Sequence, residues 1–174
     1  ALAQNSVNIR RIGWLDLGAP PSTTSGPLEA FRRGGPLEAF LRGLRELGWI
    51  EGRNVAIETR YADDDSARLA VVTAELVALK VDVIVTITTP AAIAAKNATQ
   101  SIPIVMAGSS SPVELGLVES LARPGHNVTG VTNNPGGGFN QKVLQLFKEA
   151  VPDVSRVALL WAGAGAHLCG RAAA

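Results

Sequence analysis

Two hydrophobic rhythms alternate along this chain. The run Val81–Ile87 (VDVIVTI) is β-branched and almost wholly apolar, long enough for a strand and short for a helix. Continuous apolar character of that kind predicts a strand covered on both faces, as in a parallel sheet flanked by helices. Other segments follow the helical period. Leu37, Phe40, Leu41 and Leu44 fall at i, i+3, i+4 and i+7, Leu69, Val72, Leu76 and Leu79 form a second stripe, and Val143, Leu146, Phe147 and Ala150 a third.

In chain order the pattern predicts a strand over Asn8–Leu17 and a Gly/Pro/Ser-rich loop over Gly18–Gly35. A helix ending at Gly48 follows, then a strand over Asn54–Arg60, an acidic loop Ala62–Asp65 and a helix capped by Asp65 or Ser66. The central strand Val81–Ile87 leads into a helix over Ala91–Ala98. Next come a short strand Pro103–Met106, a helix Val113–Leu121, a strand Asn127–Val131 and a glycine-rich connection Thr132–Gly138. A helix Phe139–Ala150 and a strand Arg156–Trp161 complete the series. Strands and helices alternating at this spacing predict an α/β fold, a doubly wound parallel sheet of Rossmann-like type.

The strand-to-helix junctions hold the candidate chemistry. Thr88-Thr89-Pro90 ends the central strand, with Thr89 placed to cap the next helix and Pro90 to occupy its first position. Gly108-Ser109-Ser110-Ser111-Pro112 repeats the design, and Glu114 three residues after Ser111 completes a capping box. Capping alone explains either site. Two helix N-termini at one sheet edge, beside Asn133 and Asn134 in the third loop, make a site for a carboxylate or other anion.

Composition narrows the classes. The 174 residues are 47% hydrophobic and 18% charged, so a packed core is expected. The net charge is +1 with no Lys/Arg block, which argues against a nucleic-acid partner. Cys169 has no second cysteine to pair with, and no apolar run reaches the length of a membrane span. His126 and His167 sit in a turn and an unpatterned tail, and Asp63-Asp64-Asp65 lacks the rest of a calcium loop. No phosphate-binding Gly-Lys-Ser/Thr motif occurs, and Gly163-Ala164-Gly165 is not followed by a helix a dinucleotide loop would need. No catalytic residue, metal or cofactor is expected. Ala1-Leu2-Ala3 matches the small-residue end of a secretory signal peptide. GPLEAF occurs at Gly26–Phe31 and again at Gly35–Phe40, a local duplication too short for a repeat unit.

Three stretches together resemble a known family: LRGLRELGWIEGRNVAIETRYAD from Leu41, VDVIVTITTPAAIAAKNATQSIPIVMAGSSSPVELGLVESLARPGHNVTGVTN from Val81, and KVLQLFKEAVPDVSRVALLW from Lys142. They are similar to bacterial ABC-transporter substrate-binding proteins of the tryptophan/tyrosine-binding type, which belong with the type I periplasmic binding proteins. The resemblance covers Arg10 to about Trp161. It implies a two-lobed binding protein, not an enzyme, that closes on a small carboxylate or amino acid-like ligand and delivers it to a membrane permease. Residues 1–132 would form the first lobe and 133–174 the start of an incomplete second lobe, through which copies could self-associate. Carried over by position, the ligand-facing residues would be Asp16, Leu17, Thr88, Thr89, Ser109, Ser110, Asn133 and Asn134. A periplasmic or cell-surface location is implied, with a signal peptide removed near Ala3.

Three departures stand out. Ser111-Pro112 replaces the Asp-Pro usual in the family, the first loop carries the duplicated GPLEAF, and Ala162-Gly163-Ala164 stands where an Asn-Pro turn leads on to the second lobe. A truncated chain is the expectation. Two other classes share the fold. A dinucleotide-binding α/β enzyme would need a glycine loop and a positioned base, and Gly18–Gly35 supplies neither. A repressor's ligand-sensing domain would follow a DNA-binding segment and would lack the cleavage-like Ala-Leu-Ala.

Overall fold

The computed structural model describes residues 9–20, 35–154 and 156–157. Five strands and four helices follow in the order β1 (Arg10–Asp16), α1 (Pro36–Glu46), β2 (Val55–Tyr61), α2 (Ser66–Ala78), β3 (Val83–Thr86), α3 (Thr89–Ala98), β4 (Ile104–Ser110), β5 (Val128–Asn134) and α4 (Phe139–Ala150). The strands make one sheet in the order β2-β1-β3-β4-β5, and every neighbouring pair is parallel. The predicted doubly wound parallel sheet is the observed one.

Adjacent residues of β1 show why helices lie on both faces. Trp14 meets Phe40 of α1 with ring centroids 5.4 Å apart. Gly13, pointing the other way as strand neighbours must, lies where a Cβ would be 3.2 Å from Leu76 of α2 and from Val81. The main core is on this second face. Leu15, Leu69, Val72, Leu76, Ile84, Ala91, Ala95, Ile104 and Val128 pack in one buried cluster. α3 contributes only alanines to it, so it approaches the sheet closely. Leu79, the last of the predicted α2 stripe, is partly buried against the same cluster. On the opposite face the α1 stripe Leu37, Phe40, Leu41 and Leu44 is half-buried.

Helix and strand limits differ from expectation where side chains take over backbone roles. Asp65, not Ser66, caps α2, accepting the Ala67 N–H at 2.8 Å. β3 starts at Val83, later than the predicted Val81, because Asp82 turns its carboxylate back onto β1: it accepts the Arg11 N–H at 2.7 Å and pairs with Arg10 at 2.9 Å. β4 runs on to Ser110, well past the predicted end at Met106, and β5 to Asn134, past Val131. Both extensions come from their mutual pairing, with register shifts at Ala107/Ser109 and Ser109/Ser110. The helix predicted over Val113–Leu121 is replaced by turns. Ser111 has φ 47°, whereas a cap residue needs extended backbone, and Gly116 is also left-handed at φ 64°. No capping box forms.

Phe139–Ala150 is helical as predicted. The chain divides between Phe139 and Asn140 into two compact units. In the second unit Val143, Leu146 and Phe147 of α4 are exposed. The first GPLEAF copy lies outside the described residues, as do residues 158–161 of the predicted strand Arg156–Trp161, while Arg156 and Val157 are not in a strand. Among the described residues no helix is long and apolar enough to cross a membrane.

Two contacts give direct tests. At Gly130 (φ 136°) a Cβ would sit 1.9 Å from the Met106 carbonyl oxygen, so Gly130→Ala should destabilise the fold by about 3 kcal/mol or more in chemical denaturation. The Arg11 N–H, then the Arg10 guanidinium, hold the Asp82 carboxyl below its ordinary value of 3.8. A depressed folded pKa contributes stability that is full above the unfolded value and lost as pH falls through the folded one. The stability difference between the wild type and Asp82→Asn should therefore be constant near neutral pH and shrink below about pH 4.

Candidate functional site

In an all-parallel sheet every strand delivers its carboxyl end to one edge. Here those ends are Tyr61, Asp16, Thr86, Ser110 and Asn134, from β2, β1, β3, β4 and β5. The chain winds one way from β1 to β2 and the other way from β3 onward, so the winding reverses beside β1 and β3. At such a switch point the loops part to opposite faces and leave a crevice. The loops flanking it follow Asp16 and Thr86.

The β1 exit is fixed by backbone. Asp16 Oδ1 accepts the Gly18 N–H at 3.0 Å, while the acidic loop after β2 sends Asp63 N–H to the Gly18 carbonyl and Asp64 N–H to the Leu17 carbonyl. Asp63 and Asp64 take left-handed φ of 53° and 61° to do so. Leu17 turns partly into the core, and Asp16 remains half-buried at the edge. Its second carboxylate oxygen has no hydrogen bond among the described residues. Tyr61 is its register partner on β2. Burial, then the charge of Asp16, push the Tyr61 phenol up, so it stays a neutral donor.

The β3 exit departs from expectation by one residue. Thr88, not Thr89, is the N-cap of α3, accepting the Ala91 N–H at 3.4 Å, and Pro90 falls at the second helical position. That shift frees Thr89. Its hydroxyl oxygen accepts the Ser110 N–H at 2.9 Å, and Ser110 Oγ donates to Asn133 Oδ1 at 3.2 Å. Three of the predicted residues, from α3, β4 and β5, are thus linked in one chain of hydrogen bonds. At the head of α3 the Ala91 N–H is capped, the Ala92 N–H reaches the Thr88 carbonyl and Pro90 has none. The Thr89 N–H is left as the donor at the positive end of the dipole.

Ser109 is fully buried, and its Oγ has no hydrogen-bond partner among the described residues, as is true of Thr86 Oγ1. Its carbonyl lies 2.5 Å from Thr132 Oγ1, which also accepts the Asn134 N–H at 3.2 Å. Asn134 is turned to backbone work: its carbonyl accepts the Ser111 N–H at 2.7 Å and its Oδ1 the Gly136 N–H at 3.0 Å. The second helix N-terminus expected at Ser111-Pro112 does not form, because turns follow there, so of the two dipoles expected at these junctions only that of α3 is present.

Tyr61 and Thr132 were not singled out by sequence. Tyr61 ends its strand beside Asp16, which the strand pattern alone could have shown once the sheet order was known. Thr132 lay in the predicted connection and gains its role only because β5 extends through it. Among the described residues no group of three His, Cys, Asp or Glu side chains is placed to hold a metal ion.

Known proteins match this arrangement. Residues 33–167 match the family described as ABC transporter substrate binding protein. The tyrosine-binding protein of Clostridioides difficile (strain R20291) is 36% identical over 118 residues, covering 68% of this chain and 33% of that protein. Among solved structures, a substrate binding protein with adhesive properties from Clostridium difficile, in its ligand-free open form, superposes with a TM-score of 0.62 at 32% identity. That match covers 80% of this chain and 44% of that one. The L-Trp complex of an ABC domain from Streptococcus pneumonia gives 0.60 at 31% identity, covering 72% and 39%. The chain therefore spans less than half the length of each of these relatives. By the extent of the match and by its parallel sheet, this chain belongs to the ABC transporter substrate binding protein family.

Proposed function

We propose that this chain forms the first ligand-holding part of a solute receptor for an ABC import system, and that its ligand is an amino acid, with aromatic ones first in line. The observation that carries this is the hydrogen-bonded series Thr89–Ser110–Asn133 beside the N-terminus of α3 at the crevice edge. A carboxylate accepts from the Thr89 N–H at the positive end of the dipole and from polar groups of the same edge. Asp16, with one oxygen held by Gly18 and the other without a hydrogen bond among the described residues, takes the α-ammonium group. Tyr61, a neutral phenol beside Asp16, borders the same edge and offers a ring to an aromatic side chain.

Binding without chemical conversion fits this inventory, because nothing among the described residues of the edge pairs a nucleophile with a base. The relatives named for tyrosine and solved with L-Trp favour those two ligands. Delivery to a membrane permease, and a periplasmic or cell-surface location with a leader removed near Ala3, follow from the same reading. The remaining contacts would come from a second lobe closing over the edge.

The test is a thermal-shift and calorimetric titration of this chain with L-tyrosine, L-tryptophan and tyramine. A ligand that binds only the folded state raises its melting temperature with concentration. The amino acids should stabilise the protein and tyramine, which lacks the carboxylate, should not. Equal stabilisation by tyramine would remove the carboxylate from the binding scheme. Asp16→Asn should weaken L-tyrosine about tenfold or more by losing a charge-assisted bond, and Thr89→Val about tenfold by releasing Ser110. Both should leave the far-ultraviolet circular dichroism unchanged.

A further inference from the structure

We propose that Glu114 is a positioning residue for the ligand edge, setting the place of Asn133 by holding the glycine connector that follows β5. The inference rests on the reading of that edge as the ligand site. Gly136, Gly137 and Gly138 have φ of 81°, 58° and 85°. Three successive glycines in the left-handed region have the widest backbone freedom the chain offers, so their conformation needs contacts to fix it. Asn134 supplies one, through its Oδ1 and the Gly136 N–H. The Phe139 N–H adds a local one to the Gly136 carbonyl at 3.1 Å, and a third comes from far along the chain: Glu114 Oε1 accepts the Gly137 N–H at 2.8 Å.

Glu114 sits in the turn that replaces the expected helix, and this contact replaces the capping box it was expected to complete. The turn is itself anchored to β5, because the Ser111 N–H donates to the Asn134 carbonyl at 2.7 Å. Ser111, Asn134, Gly136, Gly137 and Glu114 therefore close a ring, with Asn133 and its bond to Ser110 held at its side. Gly136 lies beneath the carboxylate, where a Cβ would be 2.5 Å from Glu114 Oε1. Glu114 is exposed, so replacing it opens no cavity. Its effect is confined to the connector and to what the connector places.

Nuclear magnetic resonance on the 174-residue chain tests this. In Glu114→Ala the Gly137 amide should exchange with solvent about tenfold faster or more, since a charge-assisted bond is lost. The Asn133 side-chain amide resonances should shift, while exchange at Ile104, bonded to the Asn127 carbonyl within the sheet, stays as in the wild type. Glu114→Gln keeps a carbonyl acceptor and should restore most of both effects. Gly136→Ala, which displaces the carboxylate, should reproduce the Glu114→Ala pattern. Unchanged Gly137 exchange, or unmoved Asn133 resonances, in Glu114→Ala overturns the proposal. L-tyrosine affinity is a separate readout: where the wild type binds it, Glu114→Ala should raise Kd about three- to tenfold, and an unchanged Kd overturns the positioning role. A wild type that binds neither L-tyrosine nor L-tryptophan sinks the amino acid reading, and the Asn133 resonances still decide this one.

Discussion

The pairing of β3 between β1 and β4 is the constraint on which the rest depends. β3 is only four residues long, yet Ile84, Val85 and Thr86 are buried. A strand with neighbours on both sides and a helix layer above it has its register set by side-chain packing, since a slip of one residue would turn Ile84 out of the core. Fixing that register fixes where β3 ends. It also fixes that β1 and β3 part their loops at the switch point, and that α3 begins beside the end of β4.

From that placement comes the division of labour between two adjacent threonines. Thr88 spends its hydroxyl on the helix cap, and Thr89 spends its own on the neighbouring strand. The hydroxyls of Thr88, Thr89 and Ser110 and the Asn133 side chain are each held by a backbone partner or by another element, so this part of the edge is pre-organised. The alanine face of α3 serves the same end. Small residues let the helix lie close to the sheet, so its first turn stands near the Ser110 amide.

The glycine connector shows the opposite strategy. Its residues gain nothing from packing, and their left-handed backbone is held by polar contacts from Asn134 and Glu114. A segment held this way is ordered by a few hydrogen bonds of about 1 kcal/mol each, and not by buried area. Such a segment suits the point where one compact unit gives way to the next, which is where this chain divides.

Sequence by itself determined the fold class and the buried stripe of α2, because burial periodicity is a local record of which faces meet the core. Leu69, Val72 and Leu76 are buried as their spacing demanded, and Phe139–Ala150 has the limits its pattern gave. It also placed Thr88, Thr89, Ser110 and Asn133 at one edge, since parallel order follows from alternation. Tertiary structure alone decided what each of them does. Whether Thr88 or Thr89 capped α3 depended on where β3 ended and on the Ser110 amide waiting for an acceptor. Ser111 and Glu114 carried a sound capping-box spacing, but continued pairing of β4 with β5 drew the Ser111 N–H to Asn134 and left Glu114 for Gly137. Local preference for a cap is worth about 1 kcal/mol, and two strands joined along several further residues outweigh it.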